Sequence, residues 1–389
     1  MLEVRLLDDR NIWNSWVAGQ PTGNILQSFE WGEFKSSLGD WKPLRFAALE
    51  NGRIAACAQV LLRHLPIGTM AYCPRGPVFD PSNPEPARHL LDAIHDYCRA
   101  RATIFLKVEP PLPDASPWHS TFAGWGFRPA DEIQPRSTIM VDLSPDLEDI
   151  SARLNIKTRY NIGLAGRKGI KIVEAGEDGG LIFYSLLHAT SRRASFSVHS
   201  SDYYDKVWRL LRSRDMAQLL LATYDGDVLA GTMLFRIGQN AYYMYGASSG
   251  LQRNLKSSDL LQWESLKWAK SLGCTTYDMW GIPVEVGLAK VEGRSREALE
   301  EAHAGGNGNG RSDSSGKNGS NGNGSKESGS PLWGVYQFKR GFGGEVVRYA
   351  GGYDYVYSAS RYLVWVRSLP LLRQFVGKVR KYEKSAKIA

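Results

Sequence analysis

Arg45-Phe-Ala-Ala-Leu-Glu-Asn51-Gly52-Arg-Ile54 and Gln218-Leu-Leu-Leu-Ala-Thr-Tyr-Asp225-Gly226-Asp-Val228 read as two copies of one plan. In each, a mostly apolar strand (45–49; 218–223) runs into a two-residue turn and leaves through a second strand (54–62; 228–237). Asn-Gly and Asp-Gly supply the positive φ that a tight hairpin turn demands. A third strand follows, ending at 71–73 in one copy and spanning 242–245 in the other, and then an amphipathic helix (84–101; 258–272). Both copies close on a β-rich run, 103–108 and 275–280, after a similar length of chain, as an internal repeat should.

Strand, hairpin, strand, helix, strand is an α+β order with a mixed sheet, and it resembles the core of a GNAT acyltransferase domain. We place a first domain at 1–143 and a second at 144–358. Residues 359–389 should form a basic helix packed on the first domain. Residues 304–330 are almost entirely Gly, Asn and Ser, which cannot bury enough apolar surface to offset their ordering entropy. This tract interrupts the second domain, so 281–290 and 332–338 should be neighbours in space.

A chain of 389 residues with 43% hydrophobic and 11% aromatic residues can build two ordinary cores. The formal charge of +8 favours phosphorylated or polyanionic partners. Arg153, Lys157, Arg159, Arg167, Lys168 and Lys171 crowd into 151–173 with no acid among them; this is either a phosphate-tracking patch or a solvated helix face. The four cysteines form no Cys-x-x-Cys pair and the seven histidines lack metal-ligand spacing, so a reducing compartment and no metal site are expected. Residues 1–11 carry acids and no apolar signal core, and 362–376 is too short and too interrupted by Arg367, Pro370 and Arg373 to span a bilayer. Eight basic residues interleave with apolar ones in 361–387, the composition of a helix that docks on its own protein or lies on an anionic membrane.

A coenzyme A-dependent GNAT domain carries a Gly-rich loop before its central helix, whose backbone N–H groups hold a pyrophosphate. The loop here reads Gln252-Arg253-Asn254-Leu255-Lys256-Ser257, with Leu255 where the first glycine is needed. Arg75-Gly76-Pro77-Val78, the equivalent place in the first copy, lacks the pattern too. Such a scaffold implies an acyl donor other than coenzyme A, and no cofactor is expected.

Gly334-Val-Tyr-Gln-Phe-Lys-Arg-Gly-Phe-Gly-Gly-Glu345 resembles the Phe-Lys-x-x-Phe-Gly signature of the FemABX family, aminoacyl-tRNA-dependent transferases that build cross-bridges on peptidoglycan precursors. Further pieces match in the family's order: Ser28-Phe-Glu-Trp31-Gly32 with Lys35; Pro74-Arg75-Gly76-Pro77; Phe105-Leu-Lys-Val-Glu109-Pro110; Lys157-Thr-Arg159-Tyr-Asn-Ile162; Phe196-Ser-Val-His199 with Tyr203; Tyr245-Gly-Ala-Ser248; and Tyr277-Asp-Met-Trp-Gly281. The resemblance implies two tandem GNAT-like domains, here without the helical arm that some members insert in the second. It implies transfer of an amino acid from aminoacyl-tRNA to the stem-peptide amine of a UDP- or lipid-linked muropeptide. The alternatives are a related acyltransferase with another cell-envelope acceptor, or a non-enzymatic tRNA- or membrane-binding module. A cytoplasmic monomer, peripheral at the inner face of the membrane, is the corresponding expectation.

The same resemblance implies roles for single residues. Lys35 matches a lysine that meets the precursor's phosphates, with Ser197, His199, Tyr203, Tyr245 and Arg75 as further binding residues. His199 stands in place of an arginine, so that contact is pH-dependent or rebuilt by Arg192 or Arg193. Lys339, beside Phe338, matches the lysine at the aminoacyl end of the donor, where a fixed cation would lower the barrier to a tetrahedral oxyanion. Glu109 could take a proton from the attacking amine. The competing structural readings are a surface lysine in a strand for Lys339, the solvent side of a helix for Lys35, and a cap or ion-pair partner for Glu109.

Overall fold

At both turns the backbone enters the left-handed region, with φ of 51° and 79° at Asn51 and Gly52 and of 50° and 82° at Asp225 and Gly226. Two consecutive positive φ values give the turn whose twist matches that of the flanking strands. A computed structural model describes residues 2–114, 117–194, 197–306 and 332–368. Its strands, in chain order, are β1 (Leu2–Leu6), β2 (Lys42–Glu50), β3 (Arg53–Leu65), β4 (Gly68–Cys73), β5 (Val78–Phe79), β6 (Thr103–Val108), β7 (Arg128–Ala130) and β8 (Ser137–Asp142). There follow β9 (Lys171–Glu174), β10 (Ala217–Tyr224), β11 (Asp227–Ile237), β12 (Asn240–Ser248), β13 (Thr276–Asp278), β14 (Glu345–Arg348) and β15 (Gly352–Val356).

The repeat is complete at the level of elements. One sheet runs β1-β2-β3-β4-β6-β15-β7, with β5 paired to β3; the other runs β9-β10-β11-β12-β13-β8-β14. Each hairpin has a register shift just ahead of its turn, at Ala48/Leu49 and at Ala222/Thr223. In each sheet the strand after the helix joins in parallel, β6 to β4 and β13 to β12, so both sheets are mixed. Two helices separate β1 from β2 (Arg10–Ala18 and Phe29–Ser37) and two separate β9 from β10 (Gly179–Ala194 and Ser201–Arg212). Nothing resembling a long helical arm stands there among the described residues.

The crossover helices bury the faces that their spacing marks. Leu90, Leu91, Ile94 and Cys98 of Glu85–Arg99 pack into the first core, and Leu261, Leu266 and Ala269 of Ser257–Ser271 into the second. Each large apolar side chain so buried contributes roughly 1.5–3 kcal/mol against exposure.

The two sheets exchange one strand. By the logic of the repeat, β8 should return beside β7 to lie next to β6. That slot is filled by β15, which pairs antiparallel with both β6 and β7. β8 takes the equivalent slot in the other sheet, antiparallel to β13 and β14. Two compact units result, one made of residues up to Ile133 and from Ala350 onward, the other of Gln134–Tyr349. The divisions expected after 143 and 358 differ from this because sequence reads neighbours along the chain, whereas Ile139 and Val141 bury themselves in the second core and Tyr353 in the first.

A helix over 359–368 follows β15. Tyr362 and Trp365 pack on Phe105 of the first unit, with ring centroids 5.2 and 6.2 Å apart. Residues 369–389 of the expected basic helix lie outside the described residues, as do 307–330 of the expected loop. The helix Arg296–Gly306 occupies the first residues assigned to that loop. Cys57, Cys73, Cys98 and Cys274 are buried free thiols. Among the described residues no group of acids, histidines and cysteines could hold a metal ion, and no helix is long and apolar enough to cross a membrane.

Candidate functional site

The second sheet opens where the first stays closed. β4 and β6 pair from Thr69–Thr103 to Cys73–Val108, and the Glu109 N–H extends the ladder to Cys73 O at 3.3 Å. β12 and β13 pair only over Asn240–Tyr242 with Thr276–Asp278. Against β11, β12 is bulged, with Leu234 opposite Tyr243 and Met233 opposite Tyr245, so Met244 is the extra residue. A bulge breaks the two-residue alternation and turns Tyr243 and Tyr245 to opposite faces. Tyr243 packs on the second core, while Tyr245 meets Tyr204 edge-on at 5.4 Å.

Lys339 occupies this opening. It ends the helix Trp333–Lys339, is 6% exposed, donates through Nζ to Gly281 O at 2.8 Å and lies 5.5 Å from the Tyr243 ring centroid. The residues flanking the Gly-rich tract thus meet in space. Burial strips water from the ammonium and lowers its pKa from 10.5 to about 7, an effect that nearby Asp278 only partly offsets. Asp278 is itself held by the Thr138 hydroxyl and by the Trp280 N–H at 2.7 Å. Phe338 is half-buried and edge-on to Phe342 at 5.2 Å. The reading of Lys339 as a surface lysine in a strand is therefore corrected: it is helical and buried, because the helix period turns it and Tyr336 inward together.

On the other face of the same sheet, His199 stacks on Tyr203 at 4.0 Å and the Tyr203 and Tyr245 hydroxyls lie 3.2 Å apart. Burial pushes Tyr203 up to about 12 and raises Tyr245 as well, so both phenols stay protonated. Ser197 is exposed. Arg193 is committed to Ser248, donating to its Oγ at 2.9 Å, while Arg192 is exposed.

In the first unit, Lys35 and Arg63 flank one indole. Their charges lie 5.6 and 5.4 Å from the Trp41 ring centroid, and Arg63 also contacts Asp40 at 3.2 Å. Burial and then the like charge of Arg63 lower Lys35 to about 8, with Asp40 pulling the other way. Lys35 is thus half-buried, where a simple amphipathic helix would have left it in water. Trp41 tilts against Tyr72 at 6.2 Å, and the Tyr72 hydroxyl donates to Glu109. The Ile133 N–H donates to the other oxygen of Glu109, which is 2% exposed just beyond β6. Arg75 is buried with φ of 49°.

Sequence reasoning passed over Trp41, Arg63, Tyr72, Tyr243 and Asp278. Asp278 was within reach, since it sits inside the Tyr277-Asp-Met-Trp-Gly281 motif. The others become visible only once strands and helices are paired. Leu255 is 6% exposed and belongs to the second core.

The FemAB family model matches residues 9–116 and 119–227. The chain is 23% identical over 352 residues to the lipid II:glycine glycyltransferase of Staphylococcus epidermidis (strain ATCC 35984), covering 71% of this chain and 84% of that one. It is also 23% identical over 346 residues to the lipid II:glycine glycyltransferase of Staphylococcus aureus (strain COL), covering 69% and 82%. Among solved structures, FemX superposes with a TM-score of 0.76 at 20% identity, over 93% of this chain and 99% of that chain. A conserved protein of unknown function from Bacteroides thetaiotaomicron shares the fold at a TM-score of 0.54 and 9% identity, over 90% and 99%. Matched over more than half of its length, the chain belongs to the FemAB family and is an aminoacyltransferase.

Proposed function

We propose that the protein moves an amino acid from aminoacyl-tRNA to the stem-peptide amine of a peptidoglycan precursor, UDP- or lipid-linked, in cross-bridge formation. The observation that carries this reading is Lys339, whose ammonium is held between the diverging ends of β12 and β13. The amine attacks the ester carbonyl, a C–N bond forms, and negative charge gathers on the carbonyl oxygen. The C–O bond to the ribose then breaks and the 3′ oxygen leaves with a proton. A desolvated cation gains most when that charge appears, so Lys339 stabilises the oxyanion and Phe338 bounds the aminoacyl group.

Lys35 is assigned to the precursor's phosphates. The Lys35–Arg63 pair on Trp41 is a concentration of positive charge that a phosphate would relieve. By the family resemblance, Tyr203, Tyr245, His199, Ser197 and Arg75 are each assigned to precursor binding. Glu109 is assigned the proton of the attacking amine, whose free pKa is about 10.4. The exposed Leu363, Val364 and Val366 of the helix over 359–368, with Arg361 and Arg367, support peripheral contact with an anionic membrane. We take the enzyme to act as a cytoplasmic monomer.

The test is transfer of labelled Gly, Ala or Ser from charged tRNA to a muropeptide, with Lys339→Met as control. Transfer by the natural chain, reduced about 100-fold or more in the variant, is expected. No transfer across a full set of charged tRNAs and acceptors overturns the reading.

A further inference from the structure

The helix Ile156–Arg167 is clamped at its first turn to the segment that carries Lys339. The Asn155 N–H donates to Gly341 O at 2.9 Å, and a Cβ on Gly341 would stand 2.3 Å from Thr158 Oγ1, so a larger residue there would have to displace that hydroxyl. Thr158, Asn161 and Ala165 are the buried positions. The helix period then turns Ile156, Arg159, Tyr160 and Arg167 outward. Tyr160 is 61% exposed and Ile156 77%. Arg159, Lys157, Arg167 and Lys168 are exposed beside them.

A helix face meant only for water mixes signs and shows few large apolar groups. This one presents cations around a bare phenol ring, and no acid occurs anywhere in 151–173. Cations beside an exposed aromatic ring fit a polymer of phosphates and flat bases. A bilayer is a poorer fit, because Ile156 and Tyr160, neighbours one turn apart, are followed along the same face by Gly163 and Arg167 and form no continuous apolar stripe.

We infer that the outward face of Ile156–Arg167 is an RNA-docking surface, with Arg159 and Arg167 on the phosphates and Tyr160 against a base, which delivers the end of a charged RNA to Lys339. This rests on the tRNA-dependent reading above and names the surface that reading requires.

The test uses the full chain with unfractionated tRNA, an Arg159→Glu/Arg167→Glu variant and a separate Tyr160→Ala variant, all at exposed positions. The double variant should bind tRNA about 10- to 100-fold more weakly, and its plot of log affinity against log salt should be shallower by about two. Tyr160→Ala should lose about tenfold with the salt slope unchanged. In turnover, KM for charged tRNA should rise while kcat and the KM for the muropeptide hold. If the natural chain binds tRNA and both variants bind it equally well, this inference is overturned and the proposed function stands. Should the natural chain neither bind tRNA nor use it, both fall. Loss of binding to phosphatidylglycerol vesicles with tRNA affinity intact would make the face a membrane surface and also overturn the proposal.

Discussion

Lys339 is where the proposed function and stability pull apart. Its pKa is about 7 in the folded chain against an ordinary 10.5. Between these values the unfolded chain binds a proton that the folded chain does not, so stability rises with pH across that window, and below about pH 7 the penalty is complete. Lys339→Met should therefore cut transfer about 100-fold or more yet stabilise the fold by roughly 1–3 kcal/mol at pH 6, with the gain fading as pH rises from about 7 towards 10.5. Thermal melts across that range check it; a variant less stable at pH 6 contradicts it. Lys35 offers a second test, because it is lowered to about 8. KM for a pyrophosphate-bearing acceptor should climb as pH passes 8, and Lys35→Gln should remove the climb. The Phe-Lys-x-x-Phe-Gly motif made Lys339 legible in sequence. Its burial was not, since desolvation depends on Gly281 and Tyr243, far away along the chain.

At the level of elements, the turns were legible because Asn-Gly and Asp-Gly have few other conformational uses. Gly226 has open space around a would-be Cβ, so substitution there meets no steric neighbour and tests the backbone alone. Gly226→Val should cost about 1–2 kcal/mol, from a β-branched residue forced to positive φ, read as a lower urea midpoint. The bulge in β12 was not legible. Nothing in Tyr242-Tyr243-Met244-Tyr245 says that one residue will go unpaired, and the choice follows from how β11 and β12 settle against helices on both faces. That one slip separates Tyr245, beside Tyr203, from Tyr243, beside Lys339. Motif order located both tyrosines' strand without revealing that they serve different faces.

Across the whole molecule, the repeat was readable and the exchange of β8 and β15 was not, because pairing between segments so far apart along the chain leaves no mark in either one's sequence. Residues 1–133 alone lack the strand between β6 and β7, leaving Tyr353's place in the first core empty. Expressed alone they should aggregate, whereas 1–133 joined by a short linker to 350–368 should be soluble and melt cooperatively; a soluble, cooperative 1–133 fragment would contradict this. Reciprocity also sets a timetable. Gly352–Val356 leaves the ribosome only after most of the 389 residues have been made, so the half translated first is the last to be finished.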